Sequence, residues 1–175
     1  MRKVLHFDSP REKYHCDASV VGCFDNRFDT ACRKLLKRIG ITQPDPIKIA
    51  GGAKAFASPE QEFHRAFVLD QIHKSIRLHG TDRVILMLHS DCGAYGGLAD
   101  RFQGDSGVET AHYHTELAAA TAFLKSAIPG IKVESFILDF EGAWVVEESA
   151  TAAAHGTTSS IFPDPASTAS ARPDR

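Results

Sequence analysis

The chain has 175 residues, of which 43% are apolar and 24% charged, and its formal net charge is -2 at pH 7. This length and composition are typical of one globular domain, and the near-zero charge excludes a basic surface for nucleic acid or an anionic membrane. No apolar run approaches the roughly 20 residues of a membrane span and the charged N-terminus lacks a signal peptide, so we expect a cytoplasmic protein.

The first predicted strand runs from Ala18 to Gly22, an apolar and β-branched stretch that is followed directly by Cys23. Asp29 is predicted to be the N-cap of a first helix. Apolar residues then recur at helical spacing, and Gly40 is expected to end this helix.

Pro44 and Pro46 predict a loop, and Ile47 to Ala50 predict a short second strand. Ser58 to Gln61 combines an N-cap, a proline at the first helical position and a glutamine three residues after the cap, which indicates a helix start. The residues predicted for the buried side of this helix are Phe63, Phe67, Leu69, Ile72 and Ile76.

Val84 to Leu88 is fully apolar, as a central parallel strand should be, and His89 follows it. Ser106 to Glu109 is interpreted as a capping box that opens the last helix. Val133 to Phe140 and Ala143 to Val146 predict a closing strand or hairpin. The apolar side of the last helix is predicted to carry Leu117, Ala120, Thr121 and Leu124.

Strands that alternate with helices predict an α/β fold with a mostly parallel central sheet and helices on both faces. We assign this α/β domain to residues 1–147. The composition changes to Ala, Ser, Thr and Pro near Glu148, so residues 148–175 are predicted to form a flexible tail.

Two of the predicted strands end in side chains that bind metals. Cys23 follows the first strand, and His89 with Cys92 follows the central one as an H-x-x-C step. Ligands bind at the carboxyl ends of strands in such sheets, and two thiolates with one imidazole suit a zinc ion with a fourth position open. The alternative is a buried core cysteine with a structural histidine, and these residue types alone favour neither interpretation.

Asp25 and Arg27 lie next to the first cysteine and favour the metal site. An arginine can hold a carboxylate through two parallel hydrogen bonds, which fixes its direction and keeps it ionised. Such a carboxylate can orient a metal-bound water or accept a proton from it. Without the metal ligands, an ordinary ion pair at a strand end would be the better interpretation.

The pattern C-x-D-x-R followed by H-x-x-C-G resembles the β-class carbonic anhydrases, over roughly Ala18 to Gly97 and more loosely through Phe136 to Phe140. The resemblance implies a β-carbonic anhydrase-like fold and a zinc lyase that reversibly hydrates carbon dioxide to bicarbonate by zinc-bound hydroxide. It implies that Zn2+ is held by Cys23, His89 and Cys92, and that Asp25 and Arg27 form the catalytic pair. It also implies a homodimer or higher homo-oligomer, with no nucleic-acid or membrane partner.

The segment from Lys48 to Ala53 departs from the family pattern, because the arginine and both asparagines usual there are absent. Two alternatives therefore stay open. One is a zinc hydrolase of carbon disulfide or carbonyl sulfide, because some relatives with the same zinc site hydrolyse these molecules. The other is a catalytically silent protein that binds zinc or bicarbonate.

Overall fold

The computed structural model describes residues 1–147, so the tail predicted for residues 148–175 lies outside the described residues. Within this part, five strands form one sheet in the order β2-β1-β3-β4-β5. The first four are parallel and β5 pairs antiparallel with β4, which confirms the predicted mostly parallel sheet. The elements are β1 Ala18–Gly22, α1 Asp29–Arg38, β2 Pro44–Lys48, α2 Lys54–Ala57, α3 Glu62–His79, β3 Arg83–His89, α4 Ser106–Ala127, β4 Lys132–Leu138 and β5 Ala143–Val146.

Helices cover both faces of the sheet because the central strand β3 is apolar on both sides. Val84, Leu86 and Leu88 pack in a large cluster with residues of α2, α3 and α4. Ile85 and Met87 point the other way and pack in a second cluster with residues of α1. No helix among residues 1–147 is both long and apolar enough to cross a membrane.

The prediction of a loop at Pro44 and Pro46 is wrong, because both prolines lie in β2. The N–H of Ile49 donates to the carbonyl of Gly22 on β1, 3.1 Å away. Since backbone groups alternate along a strand, the proline nitrogens at positions 44 and 46 face away from β1. A proline at the outer edge of a sheet costs no ladder hydrogen bond, so an edge strand tolerates it.

Three helix starts also differ from the predictions, including that of α4, which Asp105 rather than Ser106 caps. Asp29 is the first residue of α1 and Phe28 is its N-cap. Ser58 ends α2, and α3 begins only at Glu62. The prediction of a buried Phe63 and Phe67 is wrong as well, since these side chains are 62% and 59% exposed.

Asp17 joins the beginnings of the first two strands. Its carboxylate accepts hydrogen bonds from the backbone N–H groups of Thr42 and Gln43, at 2.7 and 2.8 Å. These bonds lower the pKa of Asp17, those from the Gln43 and Thr42 backbone most of all.

We therefore predict that Asp17→Asn destabilises the protein in a pH-dependent way. A carboxyl whose pKa is lowered by folding stabilises the protein above its unfolded pKa of about 3.9 and loses that effect as the pH falls below it. Urea unfolding should show the largest difference between variant and parent near pH 7 and a smaller one near pH 3. Asp70→Asn, at an exposed ion pair with Lys74, is the control and should change little at either pH. A difference that stays constant with pH would contradict the assignment.

Candidate metal centre

The side chains of Cys23, His89 and Cys92 lie together at the carboxyl ends of β1 and β3. One potential ligand atom from each residue falls within 4.8 Å of the other two. The two sulfur atoms are 4.0 Å apart, too far for a disulfide and close to the roughly 3.8 Å edge of a tetrahedron with 2.3 Å zinc–sulfur bonds. Residues 1–147 include all four cysteines, and each is a free thiol.

His89 is held with its Nε2 atom towards the two thiols. Its Nδ1 lies 2.9 Å from the carbonyl oxygen of Ser90, and the ring packs at 4.6 Å from the ring of Phe28. A histidine that donates its Nδ1 proton to a carbonyl leaves the Nε2 lone pair for a metal ion.

Nε2 of His89 is buried and finds no hydrogen-bond partner among residues 1–147. Leaving a buried nitrogen without a partner costs about 1–3 kcal/mol. A metal ion between this atom and the sulfurs of Cys23 and Cys92 would supply the missing partner. Two thiolates and one imidazole are soft and intermediate ligands that suit zinc, so the residues present fit a zinc ion.

The two thiols have different acidities because they contact each other. The hydrogen bond from Cys92 lowers the pKa of Cys23, and the same contact raises the pKa of Cys92. A bound metal ion would deprotonate both groups, because a coordinating thiol loses its proton outright.

Asp25 and Arg27 form the close pair that the sequence predicts. Nε of Arg27 lies 3.1 and 3.0 Å from the two Asp25 oxygens, and Nη2 lies 2.7 Å from Oδ2. The backbone N–H of Arg27 also donates to the Asp25 carboxylate, which makes a tight turn at this point. These bonds lower the pKa of Asp25 to about 2, so it is ionised at neutral pH.

The Asp25 carboxylate borders the metal group, with Oδ2 at 4.0 Å from Nε2 of His89. The structure therefore places a fixed anion beside three side chains that could bind a metal ion. An arrangement of this kind can bind a water or a small oxyanion between a Lewis acid and a hydrogen-bond acceptor.

Gly51 and Gly52 form a left-handed turn behind Cys23, with φ angles of 71° and 53°. A Cβ atom on Gly52 would lie 2.5 Å from the carbonyl oxygen of Met87 and 3.0 Å from the backbone nitrogen of Cys23. Only a residue without a side chain lets the turn approach this closely.

Sequence reasoning missed two residues that contact the site region. Asp91 lies inside the H-x-x-C step and binds Arg27, with Nη1 2.9 Å from its carboxylate. Glu109, interpreted as part of a capping box, is 1% exposed and binds Asp91, while Asp105 caps α4. In the sequence, the only signal for Asp91 was its charge between His89 and Cys92. Glu109 gave no signal, because its partner Asp91 is 18 residues away.

The aromatic residues near the two motifs divide between core and surface. Phe28, Phe56 and Tyr95 are buried, whereas Phe24 is 66% exposed.

Residues 13–149 match a protein family described as "Putative carbonic anhydrase". An uncharacterized protein of Rickettsia conorii is 27% identical over 131 residues, which cover 74% of this chain and 69% of that protein. A second uncharacterized protein, from Rickettsia bellii, is 26% identical over 131 residues, 74% of this chain and 79% of that protein.

Two solved structures share the fold. Carbonic anhydrase from Glaciozyma antarctica aligns with a TM-score of 0.52 and 21% identity, over 77% of this chain and 84% of that one. Beta-carbonic anhydrase isoform I from Trichomonas vaginalis aligns with a TM-score of 0.54 and 13% identity, over 81% and 87%. At these identities the likeness shows a common fold.

We predict that Gly52→Ala destabilises the protein more than Gly40→Ala does. Both glycines have a positive φ, which costs a residue with a side chain about 1–2 kcal/mol, but a Cβ on Gly40 would meet no atom within 4 Å. Gly52→Ala adds a collision with the backbone that holds Cys23. Thermal unfolding should show a larger loss of stability in Gly52→Ala than in Gly40→Ala. Zinc titration should show weaker binding in Gly52→Ala and unchanged binding in Gly40→Ala. Equal effects of the two substitutions would contradict this account.

Proposed function

Because the chain belongs to the carbonic anhydrase family whose pattern residues 13–149 match, we propose that it is a zinc lyase that reversibly hydrates carbon dioxide to bicarbonate. The observation that supports this best is the position of the Asp25–Arg27 pair beside three converging metal ligands. A structural zinc site has four protein ligands and needs no oriented carboxylate, whereas a catalytic site has three and keeps one position open.

In this proposal Cys23, His89 and Cys92 hold the zinc ion. When bound, zinc acidifies a water molecule and supplies a nucleophile for the electrophilic carbon of the substrate. The burial of His89 and Cys92, which are 4% and 2% exposed, keeps bulk water away from the metal on that side.

Asp25 has the role of a fixed hydrogen-bond acceptor. With a pKa of about 2 it carries no proton at neutral pH, so it accepts hydrogen bonds from an O–H group and donates none. It therefore favours a water or a bicarbonate whose hydroxyl points at it. A carboxyl group with so low a pKa binds a proton only weakly at neutral pH. In this proposal the proton released in hydration therefore passes to the solvent buffer.

A second candidate activity is the hydrolysis of carbon disulfide or carbonyl sulfide. It is favoured by the apolar residues Ile49, Ala50 and Ala94, which stand close along the chain to the Gly51–Gly52 turn and to Cys92. Ile49 and Ala50 belong to the segment that lacks the arginine and asparagines usual in the family, and Ala94 lies two residues after Cys92. Carbon dioxide, carbonyl sulfide and carbon disulfide are all linear molecules with an electrophilic carbon, so the same centre serves each.

We predict that Asp25→Asn lowers the rate of carbon dioxide hydration about 10- to 100-fold, the range typical for groups that orient a metal site. Zinc content should be unchanged, because Asp25 is not one of the three ligands. Stopped-flow hydration and metal analysis of the same samples measure both. Asp70→Asn, in an exposed ion pair with Lys74 on α3, is the control and should retain the parent rate.

Assays of the unmutated protein with carbon dioxide, carbonyl sulfide and carbon disulfide distinguish the candidate functions. Turnover of carbon disulfide or carbonyl sulfide without carbon dioxide hydration would support the hydrolase. A zinc-loaded protein that turns over none of the three gases would support the catalytically silent alternative.

We also propose that the chain forms a homodimer or higher homo-oligomer. Phe63 and Phe67 are exposed on α3 and line an apolar groove of about 250 Å³. Burying a phenylalanine side chain contributes about 1.5–3 kcal/mol, so two such residues favour a covered surface. The family resemblance supports a second copy of the chain as the partner.

We predict that Phe67→Glu reduces the molar mass measured by light scattering to that of the monomer. A carboxylate in an apolar interface loses its hydration without a partner. Leu78→Glu is the matched control, since Leu78 is 60% exposed on the same helix and is not part of the groove. An unmutated protein with the mass of a monomer would contradict the proposal.

A further inference from the structure

Asp91, the second residue between His89 and Cys92, is held in a left-handed conformation with a φ of 55°. Non-glycine residues reach this region at some cost in free energy and stay there when their surroundings hold them. Four hydrogen bonds hold Asp91. Its N–H donates to Glu109, its carboxylate accepts from Leu98 N–H and from Arg27, and its carbonyl accepts from Arg27 as well.

The guanidinium group of Arg27 is shared between two aspartates. Nε and Nη2 bind the Asp25 carboxylate, while Nη1 and Nη2 lie 2.9 Å from the carboxylate and the carbonyl oxygen of Asp91. Contacts in two directions fix the plane of the group, which Asp25 alone would leave free to tilt. Arg27 is 46% exposed, and its guanidinium carbon also lies 5.9 and 5.7 Å from the ring centres of Phe28 and Phe140.

Glu109 lies behind Asp91 on α4 and is 1% exposed. Its Oε1 accepts the Asp91 N–H at 2.8 Å and the phenol O–H of Tyr113 at 3.0 Å. Its Oε2 is buried and has no hydrogen-bond partner among residues 1–147. Burying a carboxyl group in this way is costly, and a neutral acceptor would satisfy the same N–H at a lower cost. Glu109 nevertheless occupies this position, where its Oε1 holds both the Asp91 N–H and the Tyr113 phenol.

We propose that Glu109 is a positioning residue that acts through the Asp91 backbone. By holding Asp91 in its left-handed conformation, it fixes the Arg27 guanidinium and thereby the direction of the Asp25 carboxylate. The catalytic consequence rests on the proposed function, which assigns Asp25 the orientation of water or bicarbonate. The chain of contacts from Glu109 to Arg27 is independent of any activity.

The test replaces the Glu109 acceptor without leaving the buried phenol unpaired. Glu109→Leu is therefore made in the Tyr113→Phe background, since removing both partners of a buried hydrogen bond is far less damaging than removing one. Tyr113→Phe alone is the matched control, because it keeps the Asp91–Glu109 bond. Glu109→Gln is the conservative variant, since its amide oxygen still accepts the Asp91 N–H.

The direct readout is the Arg27 Nε–H signal in a proton–nitrogen NMR spectrum, assigned by its loss in Arg27→Lys. We expect this signal to shift or broaden in the double variant and to keep its position in Tyr113→Phe and Glu109→Gln. For carbon dioxide hydration, kcat should fall about tenfold in the double variant, with KM and zinc content unchanged. Glu109→Gln should restore most of the rate.

Asp91→Gly supplies a second measurement if the double variant does not fold. Glycine adopts the left-handed conformation freely and keeps the N–H that Glu109 accepts, but it removes the carboxylate that binds Arg27. The Arg27 signal should then shift although Glu109 is intact. An unmoved Arg27 signal, in the folded double variant or in Asp91→Gly, overturns the proposal. A shifted signal in a protein that hydrates no carbon dioxide upholds the positioning role and rejects only the proposed activity.

Discussion

The parallel pairing of β1 with β3 is the constraint on which the site depends. The two strands run side by side with Val21 opposite Leu86, so both strands reach their carboxyl ends at the same end of the sheet. Cys23 follows β1 and His89 ends β3, and neighbouring strands are only about 4.8 Å apart. The ligand atoms are therefore brought together by backbone hydrogen bonds before any metal binds.

Several groups that cost free energy to bury also lie at this end of the sheet. The thiols, the imidazole nitrogen and the backbone of the H-x-x-C step all lie where the strands stop pairing. The structure offsets this cost with local partners: Ser90 for the His89 ring, the Gly51–Gly52 turn against Cys23, and Glu109 for Asp91. The atom that lacks such a partner, Nε2 of His89, is the one that a metal ion would bind.

The carboxyl groups near the site are linked through Arg27. Arg27 lies between Asp25, which faces the Cys23, His89 and Cys92 group, and Asp91, whose N–H binds the buried carboxyl group of Glu109. Arg27 thus joins Asp25 to the residues that hold it in place. If Arg27 bound Asp25 alone, the pair would resemble an exposed ion pair, which is weak and loosely oriented in water.

Local sequence determined much of this protein, because short-range patterns carry much of the information. The apolar runs at β1 and β3 determined buried strands. The spacing C-x-D-x-R with H-x-x-C placed the Asp25–Arg27 pair and the three potential metal ligands at strand ends. Tertiary structure alone decided where polar and aromatic residues ended up. Pro44 and Pro46 entered a strand because it lies at the edge of the sheet, and Phe63 and Phe67 became exposed because α3 packs through Val68 and Ile72. The link from Arg27 to Asp91 joins residues 64 positions apart and depends on the pairing of β1 with β3. The link from Asp91 to Glu109 joins residues 18 positions apart and depends on the packing of α4 against the sheet.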